Sequence, residues 1–488
     1  MSGMVPLYWA LAIPLAGAVL IALLGRWPNV REAVTLATGV ALFWFVSSLL
    51  PHVLAGATPE VLMVQLLPGG LSLVLRLEPL GMLFALVASG LWIVTSLYSI
   101  GYMRGHAEAH QTRFYVCFAV SICAAMGVAL AGNLLTLFLF YEVLTLSTYP
   151  LVSHHGTPKA MKGARTYLGI LVSTSVAFLL LAVAWTWVLA GTLDFRVGGI
   201  LAGRASDGVL LVLLALFVFG TGKAALMPVH RWLPAAMVAP TPVSALLHAV
   251  AVVKAGVFTI MKVVIYIFGL DLLSATGISV WLMYAAGFTV IAGSLVAMAQ
   301  DNLKRRLAYS TVSQLSYIVL GAALANAWGV VGGSMHILMH AFGKITLFFC
   351  AGAIYVAAHK TEISDMRGLG RAMPITMVAF LIGALSVIGV PPLGGSWSKW
   401  YLALGALDAG QILFVAILMV SSLLNIAYLV PIPIRAFFSK PADGSDPPRF
   451  KEAPAFCVAA LSFTAVGCIV LFFLADDVYR LLVPLGGG

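Results

Sequence analysis

Charge is scarce in this 488-residue chain: only 9% of its residues are Asp, Glu, Lys or Arg, and 62% are hydrophobic. A soluble domain carries about 25% charged residues. A water-soluble globular protein is therefore excluded, and most of the mass belongs in a bilayer. Acids are scarcer than bases, 17 against 27, for a net charge of +10. The excess bases do not gather on one polar face, as a nucleic-acid binder would need. They sit in short loops between apolar runs, where the positive-inside bias accounts for them. Cysteine is also rare. Cys117, Cys123, Cys350, Cys457 and Cys468 stand singly in apolar runs and no CxxC occurs, which argues against an iron–sulfur cluster or a zinc site. There is no nucleotide or quinone motif either. The chain is expected to carry no cofactor, no metal and no redox or hydrolytic centre, so any redox step would lie in partner subunits. A short apolar stretch with a small-residue cleavage site is missing from the start. The first run, from Val5 to Leu24, is long enough to span and reads as a retained helix.

What the chain does have is a series of long apolar runs with short breaks between them. They fall near 5–25, 32–55, 78–103, 113–131, 133–153, 164–190, 208–229, 242–268, 274–299, 306–325, 328–357, 374–407, 410–438 and 453–475. This predicts an all-α polytopic membrane protein of about fourteen transmembrane helices. The run 374–407 is too long for one straight span and has Pro391-Pro392-Leu393-Gly394-Gly395 in its middle; the run 208–229 meets Pro228. A helix running into proline loses a backbone hydrogen bond, and hydrocarbon tolerates that only where the freed carbonyls face protein or a wet cavity. Broken helices in corresponding positions of two halves point to an inverted repeat with sites at mid-membrane. The expected division is 1–112 for helices one to three, 113–268 and 269–438 for two five-helix repeats, and 439–488 for helix fourteen and a tail. The stretch 60–77, half apolar with Gly69-Gly70, reads as a surface hairpin.

The bases set an orientation. Loops after odd-numbered runs carry most of them, among them Arg104, Arg113, Lys162, Arg165, Arg231, Lys304, Arg305 and Arg371. Loops after even-numbered runs carry Arg76, Arg196 and Arg204, with Lys262 near a helix end. The odd loops are thus expected in the cytoplasm and both termini outside.

Subtracting loop and tail charges leaves a small set inside the spans: Glu142, four lysines (Lys223, Lys254, Lys344 and Lys399), and three histidines (His248, His336 and His340). A charge at the bilayer centre costs roughly 2.5–3.5 kcal/mol on insertion scales, so it needs a partner and usually a function. Desolvation lowers a lysine pKa and a nearby carboxylate raises it again, so a Lys facing a Glu can switch state. Lys223 and Glu142 are the natural pair, with Lys254 as the like-charge neighbour that drives the proton onward. His336, His340 and Lys344 stand at i, i+4 and i+8, on one helix face, and such a stripe relays protons or organises water. Lys399, just past the second break, is the far terminal.

Structural alternatives remain for each. Glu142 neutralises a buried base for assembly, Lys254 snorkels, His248 is a core imidazole, and Lys344 is a tie. The stripe has zinc-ligand spacing without a third ligand, and Lys399 bonds carbonyls freed by the break. Gly256 and Gly343 serve packing.

These residues resemble a known family. The segment from Lys223 to Val257, K-A-A-L-M-P-V-H-R-W-L-P-A-A-M-V-A-P-T-P-V-S-A-L-L-H-A-V-A-V-V-K-A-G-V, is similar to the signature of antiporter-like subunits of respiratory complex I, Mrp-type sodium/proton antiporters and membrane-bound hydrogenases. F-Y-E-V at 140–143, K-R-R-L-A-Y-S-T-V-S-Q-L-S-Y at 304–317, H-I-L-M-H-A-F-G-K at 336–344, D-M-R-G-L-G at 365–370 and G-V-P-P-L-G-G-S-W-S-K-W at 389–400 extend the likeness over most of the chain. The resemblance implies fourteen helices with two inverted five-helix repeats, a prokaryotic inner membrane, and other membrane subunits as partners. It implies a proton relay through Glu142, Lys223, His248, Lys254, His336, His340, Lys344 and Lys399, with Na+ or K+ as counter-ion. Length and Lys399 favour the D-type component of an Mrp antiporter, since some middle-sized complex I subunits carry glutamate there. Ala235 departs from many relatives, which have an acid at that place, and the run with Lys254 looks closer to the large Mrp component. The alternatives are a proton-pumping subunit of complex I or a hydrogenase, and the proton-coupling subunit of a bicarbonate-uptake complex.

Overall fold

The computed structural model describes residues 6–67, 71–246, 250–440 and 450–486. Two helices, α1 (Trp9–Leu23) and α2 (Pro28–Leu54), lead into an antiparallel hairpin of β1 (Glu60–Leu67) and β2 (Leu71–Arg76), as expected for 60–77. Then follow α3 (Pro79–Gly105), α4 (Gln111–Ala129), α5 (Leu134–Val152), α6 (Pro158–Ala190) and α7 (Asp207–Gly220). After a long break come α8 (Val252–Phe268), α9 (Val280–Met298), α10 (Leu303–Ala323), α11 (Ala327–Ala358) and α12 (Pro374–Ile388). The chain closes with α13 (Gly395–Asp408), α14 (Ile412–Phe438), α15 (Ala455–Phe473) and α16 (Ala475–Leu482). Among the described residues, nine helices are long and apolar enough to cross a membrane, or ten if α8 is counted with the helix Leu270–Thr276, bent from it by 81°.

Local chemistry sets many of the boundaries. Proline opens α2, α3, α6 and α12, where its missing N–H is an orphan in any case. Asn133, Asn302 and Asn326 cap α5, α10 and α11 by accepting from Thr136 N, Arg305 N and Gly329 N at 2.8, 3.1 and 2.8 Å. α11 is buried along nearly its whole length, whereas only 33% of the apolar stretch of α14 is buried. α11 packs against α10, α12, α13 and α15, and it is the post around which the second half is arranged.

The loop contacts sort into two sets. Arg31 donates to Thr112 Oγ1, Arg113 to the His154 carbonyl and Lys304 to the Ala239 carbonyl, while Asn302 donates to Glu362. All of these join loops that follow odd-numbered runs. The other set joins the hairpin to the α4–α5 turn through Gly132 N to Val74 O, and the 191–206 loop to the end of α8 through Ile200 N to Ile267 O. Asn326 donates to Asp408 in the same set.

Two expectations need correction. The run 208–229 is not one helix: α7 stops at Gly220, eight residues ahead of Pro228. A β-carbon on Gly220 would lie 2.4 Å from Leu179 N, so α7 ends pressed on the π-helical turn Ser175–Leu179 of α6. The run 242–268 is also interrupted. Thr241–Ala245 is a short helix of its own, and Ala251 leaves the helical region before α8 begins. The expected tail carries the short helix α16.

Candidate functional site

The first break places Lys223 outside any α-helix, in the 3-10 turn Gly222–Ala224. The backbone groups freed there are met by side chains: Trp232 Nε1 donates to Gly222 O at 2.8 Å, and Lys223 N donates to the Tyr141 hydroxyl at 3.1 Å. Lys223 has no exposed surface. Its amine donates to Tyr141 O at 2.8 Å and Thr145 Oγ1 at 2.5 Å, and lies 3.1 Å from the centre of the Tyr141 ring. Glu142, the expected partner of Lys223, does not touch its amine. No ion pair within 4.0 Å joins them among the described residues, and Glu142 Oε1 is buried without a hydrogen-bond partner. The reason is geometric. Tyr141 and Thr145 lie four apart on one face of α5 and point at the break, and Glu142 is turned about 100° from Tyr141 on the helix.

α8 passes close beside this break. A β-carbon on Gly256 would lie 2.3 Å from Ala224 N and 2.4 Å from Lys223 C, so only glycine fits. Two residues earlier on α8, Lys254 is fully buried, and its amine meets His340 Nδ1 of α11 at 2.7 Å. His248, the expected companion of Lys254, lies outside the described residues. The α11 stripe is as periodicity requires. The His336 and His340 rings are 5.7 Å apart, and both side chains are buried. His336 Nδ1 is 2.9 Å from Ser398 Oγ, and its ring stacks on Tyr317 at 5.4 Å. Lys344 turns aside to donate to Ser310 Oγ at 2.5 Å, and that hydroxyl also receives Tyr428 at 2.8 Å.

The second break returns to the same line. α12 ends at Ile388 and α13 starts at Gly395. Lys399 on α13 donates to Ile388 O at 2.8 Å and Ser422 Oγ at 3.1 Å, with its amine 4.9 Å from the centre of the Tyr317 ring. Tyr317 therefore touches both His336 and Lys399. The contacts run Lys254, His340, His336, Tyr317 and Lys399. Lys344 hangs as a branch, and the Lys223 amine reaches no member of the line by a hydrogen bond among the described residues. Such an arrangement can hand protons along a buried path, because imidazole and amine both bind and release them.

Sequence reasoning missed two things. Tyr141, Thr145, Ser310, Tyr317 and Ser398 are neutral, and counting charge cannot find them. Lys262 was also misplaced. It is fully buried in α8, its amine 3.1 Å from Glu78 Oε2, and Glu78 is 5% exposed. The available signal was the six apolar or aromatic residues Val263–Phe268 beyond it. On the face of the odd loops, Glu108 lies 3.1 Å from His106, 3.8 Å from His154 and 3.5 Å from His155. Burial above all, with positive neighbours, pushes the His154 imidazole down to about 4. Among the described residues, no group of three His, Cys, Asp or Glu is arranged to hold a metal ion.

The family described as NADH:quinone oxidoreductase/Mrp antiporter, TM, matches residues 131–425, a stretch that contains every expected relay residue. The chain belongs to this family. It is 34% identical over 426 residues to NADH-quinone oxidoreductase subunit N of Desulforudis audaxviator, covering 84% of this chain and 83% of that one. A probable K(+)/H(+) antiporter subunit of Rhizobium meliloti, of the A/B type, is 30% identical over 450 residues, which is 89% of this chain but 43% of that relative. The Mrp complex from Dietzia sp. contains a chain that superposes with a TM-score of 0.88 at 23% identity, covering 100% of this chain and 97% of that one; this likeness is one of fold. A chain of the archaeal membrane-bound sulfane sulfur reductase superposes with a TM-score of 0.86 at 25% identity, covering 98% and 96%. This family member is thus a membrane antiporter-like subunit whose solved neighbours sit in multisubunit membrane complexes.

Proposed function

We propose that this chain moves protons through a mid-membrane relay as one component of an Mrp-like multisubunit monovalent cation/proton antiporter, closest to the D-type component, in a prokaryotic inner membrane. The relay runs from Glu142 and Lys223, through His248 and Lys254, along His340 and His336 with Lys344 as a side store, to Lys399. One observation carries the reading. The buried Lys254 amine meets His340 at 2.7 Å, and the imidazole pair it joins reaches Lys399 through one tyrosine. Placing so many ionisable groups in hydrocarbon is costly, and a scaffold has no use for them.

The same reading includes about fourteen spans and two inverted five-helix repeats, 113–268 and 269–438. The nine long helices, the bent α8, the shorter apolar α1, α7 and α12, and the 21-residue α10 support that count. A lysine beside each helix break, Lys223 and Lys399, supports the repeat. Both termini would lie outside, in keeping with loop contacts that stay within the odd set or within the even set.

A second reading is a proton-pumping subunit of an NADH:quinone oxidoreductase. The subunit N relative, matched over 83% of its length, favours it. Cation/proton exchange in inverted vesicles carrying the whole assembly decides between them. Native vesicles should respond to sodium or potassium, and Lys223→Ala should assemble and lose exchange by about a hundredfold or more, the scale on which removing one essential proton carrier acts. Vesicles that ignore cations but pump on an electron donor would support the second reading. An assembled Lys223→Ala that exchanges like the native chain would remove the relay.

A further inference from the structure

A buried ion pair, Glu78–Lys262, lies apart from the relay line. Lys262 stands on α8 eight residues past Lys254, about 12 Å further along the axis, toward the end where the hairpin, the α4–α5 turn and the 191–206 loop meet. Its amine is 3.1 Å from Glu78 Oε2, donates to Ala131 O at 2.6 Å and lies 4.2 Å from the centre of the Phe195 ring. Thr259 is the single polar side chain on α8 between the two lysines, and it is buried. Glu78 is the N-cap of α3, yet its side chain makes no capping bond. The carboxylate faces Lys262 instead.

Directly above the pair the protein becomes polar and open. Arg76 of β2 donates to Phe195 O at 2.7 Å and pairs with Glu60 of β1 at 2.6 Å, and the Glu60 side chain is 46% exposed. Asp194 and Arg196 pair at 4.0 Å beside them, both well exposed. The charged and titratable groups around Lys262 are therefore Glu78 from α3, Arg76 from β2 and Tyr266 from α8, whose ring centre is 5.7 Å away. Immediately past Lys262, α8 loosens into a π-helical turn, Val264–Phe268, and then bends by 81° at Gly269. π-turns of this kind collect at functional positions. A tie between α3 and α8 does not require charge, because well-packed apolar residues in place of a buried ion pair are often as stable or more so.

We infer that Glu78 and Lys262 are a proton station at the hairpin end of the first half, connecting Lys254 to the water on that face. The Lys262 ammonium gives its proton through the Glu78 carboxylate to that water and is left a neutral amine. The amine then takes the next proton from the relay side, or the same steps run in reverse. The inference rests on the relay reading above and adds a second opening to it.

The test uses the full assembly in vesicles, driven by whichever of added cation or electron donor drives the native complex. Lys262→Arg keeps the ion pair but stays protonated at any working pH, so the assembled variant should move protons at least about tenfold more slowly, the loss expected when a proton-transfer group is fixed in one state. The double variant Glu78→Gln/Lys262→Met removes both charges with little change of shape and should also assemble and be slow. Native rates in either assembled variant would overturn the inference, because a fixed charge or an apolar tie would then suffice. If neither variant assembles, the pair is a structural tie and the inference falls. If native vesicles move no protons under either drive, it is the relay reading that fails, and the pair loses the path it was meant to serve.

Discussion

The Lys223 amine rests on the Tyr141 carbonyl, the Thr145 hydroxyl and the Tyr141 ring face. All three are neutral, so none holds the ammonium form as a touching carboxylate would. A hydrogen bond to a charged group is worth about 1.5–3 kcal/mol, and losing one from a single state of a carrier alters its proton equilibrium about tenfold or more. Thr145→Val keeps the shape and removes one acceptor. It should slow exchange by about tenfold, and Thr145→Ser should restore it. The measurement is the initial rate of pH-gradient collapse in vesicles at equal complex content; an unchanged rate would mean that the carbonyl alone positions the amine. Charged residues of the site were legible in the sequence because each stands out against an apolar run. The neutral Tyr141 was not, and neither was Thr145, since threonine hydroxyls in membrane helices usually bond their own backbone. Thr145 does so as well, donating to Tyr141 O at 3.1 Å.

At the scale of elements, the close pass of α8 beside the first break depends on Gly256. Its missing β-carbon would meet backbone atoms of Lys223 and Ala224, which cannot rotate away as a side-chain tip can. Gly256→Ala should cost about 1–3 kcal/mol, the usual range for overpacking. It should show as a lower thermal midpoint and less assembled complex, while Gly208→Ala, with nothing within 4 Å, should be neutral. Equal midpoints for the two would show that α8 has room to move. The helices were largely legible, because apolar length is what a bilayer selects, and the α11 stripe followed from a single helix's periodicity. Other features depend on which neighbour an element meets, which one sequence does not encode locally. α7 ends early because it butts against the π-helical turn of α6. Lys254 finds His340 through the register of α8 on α11. Lys262 looked like a loop base because it falls near the end of its run, yet α3 brings Glu78 to cover it.

For the whole molecule, the arrangement of loops makes sidedness testable. Val197 lies in the loop set that contains the hairpin and is 81% exposed; Arg305 lies in the opposite set and is exposed. Three expected spans separate them, 208–229, 242–268 and 274–299, so the two positions must face opposite waters. Of the native cysteines, Cys117 is partly buried and the other four are buried, which leaves a low background for labelling. A membrane-impermeant maleimide applied to intact cells with a permeable outer layer should modify Val197→Cys and leave Arg305→Cys untouched, and inverted vesicles should give the reverse. The positive-inside bias predicts that polarity, since the Arg305 side carries most of the bases. The opposite polarity would keep the span count but turn the molecule over, placing the Glu78–Lys262 pair toward the cytoplasm. Labelling of both from one side would mean an even number of crossings between them. One of the three runs would then fail to span, and the inverted five-helix repeat would lose its symmetry.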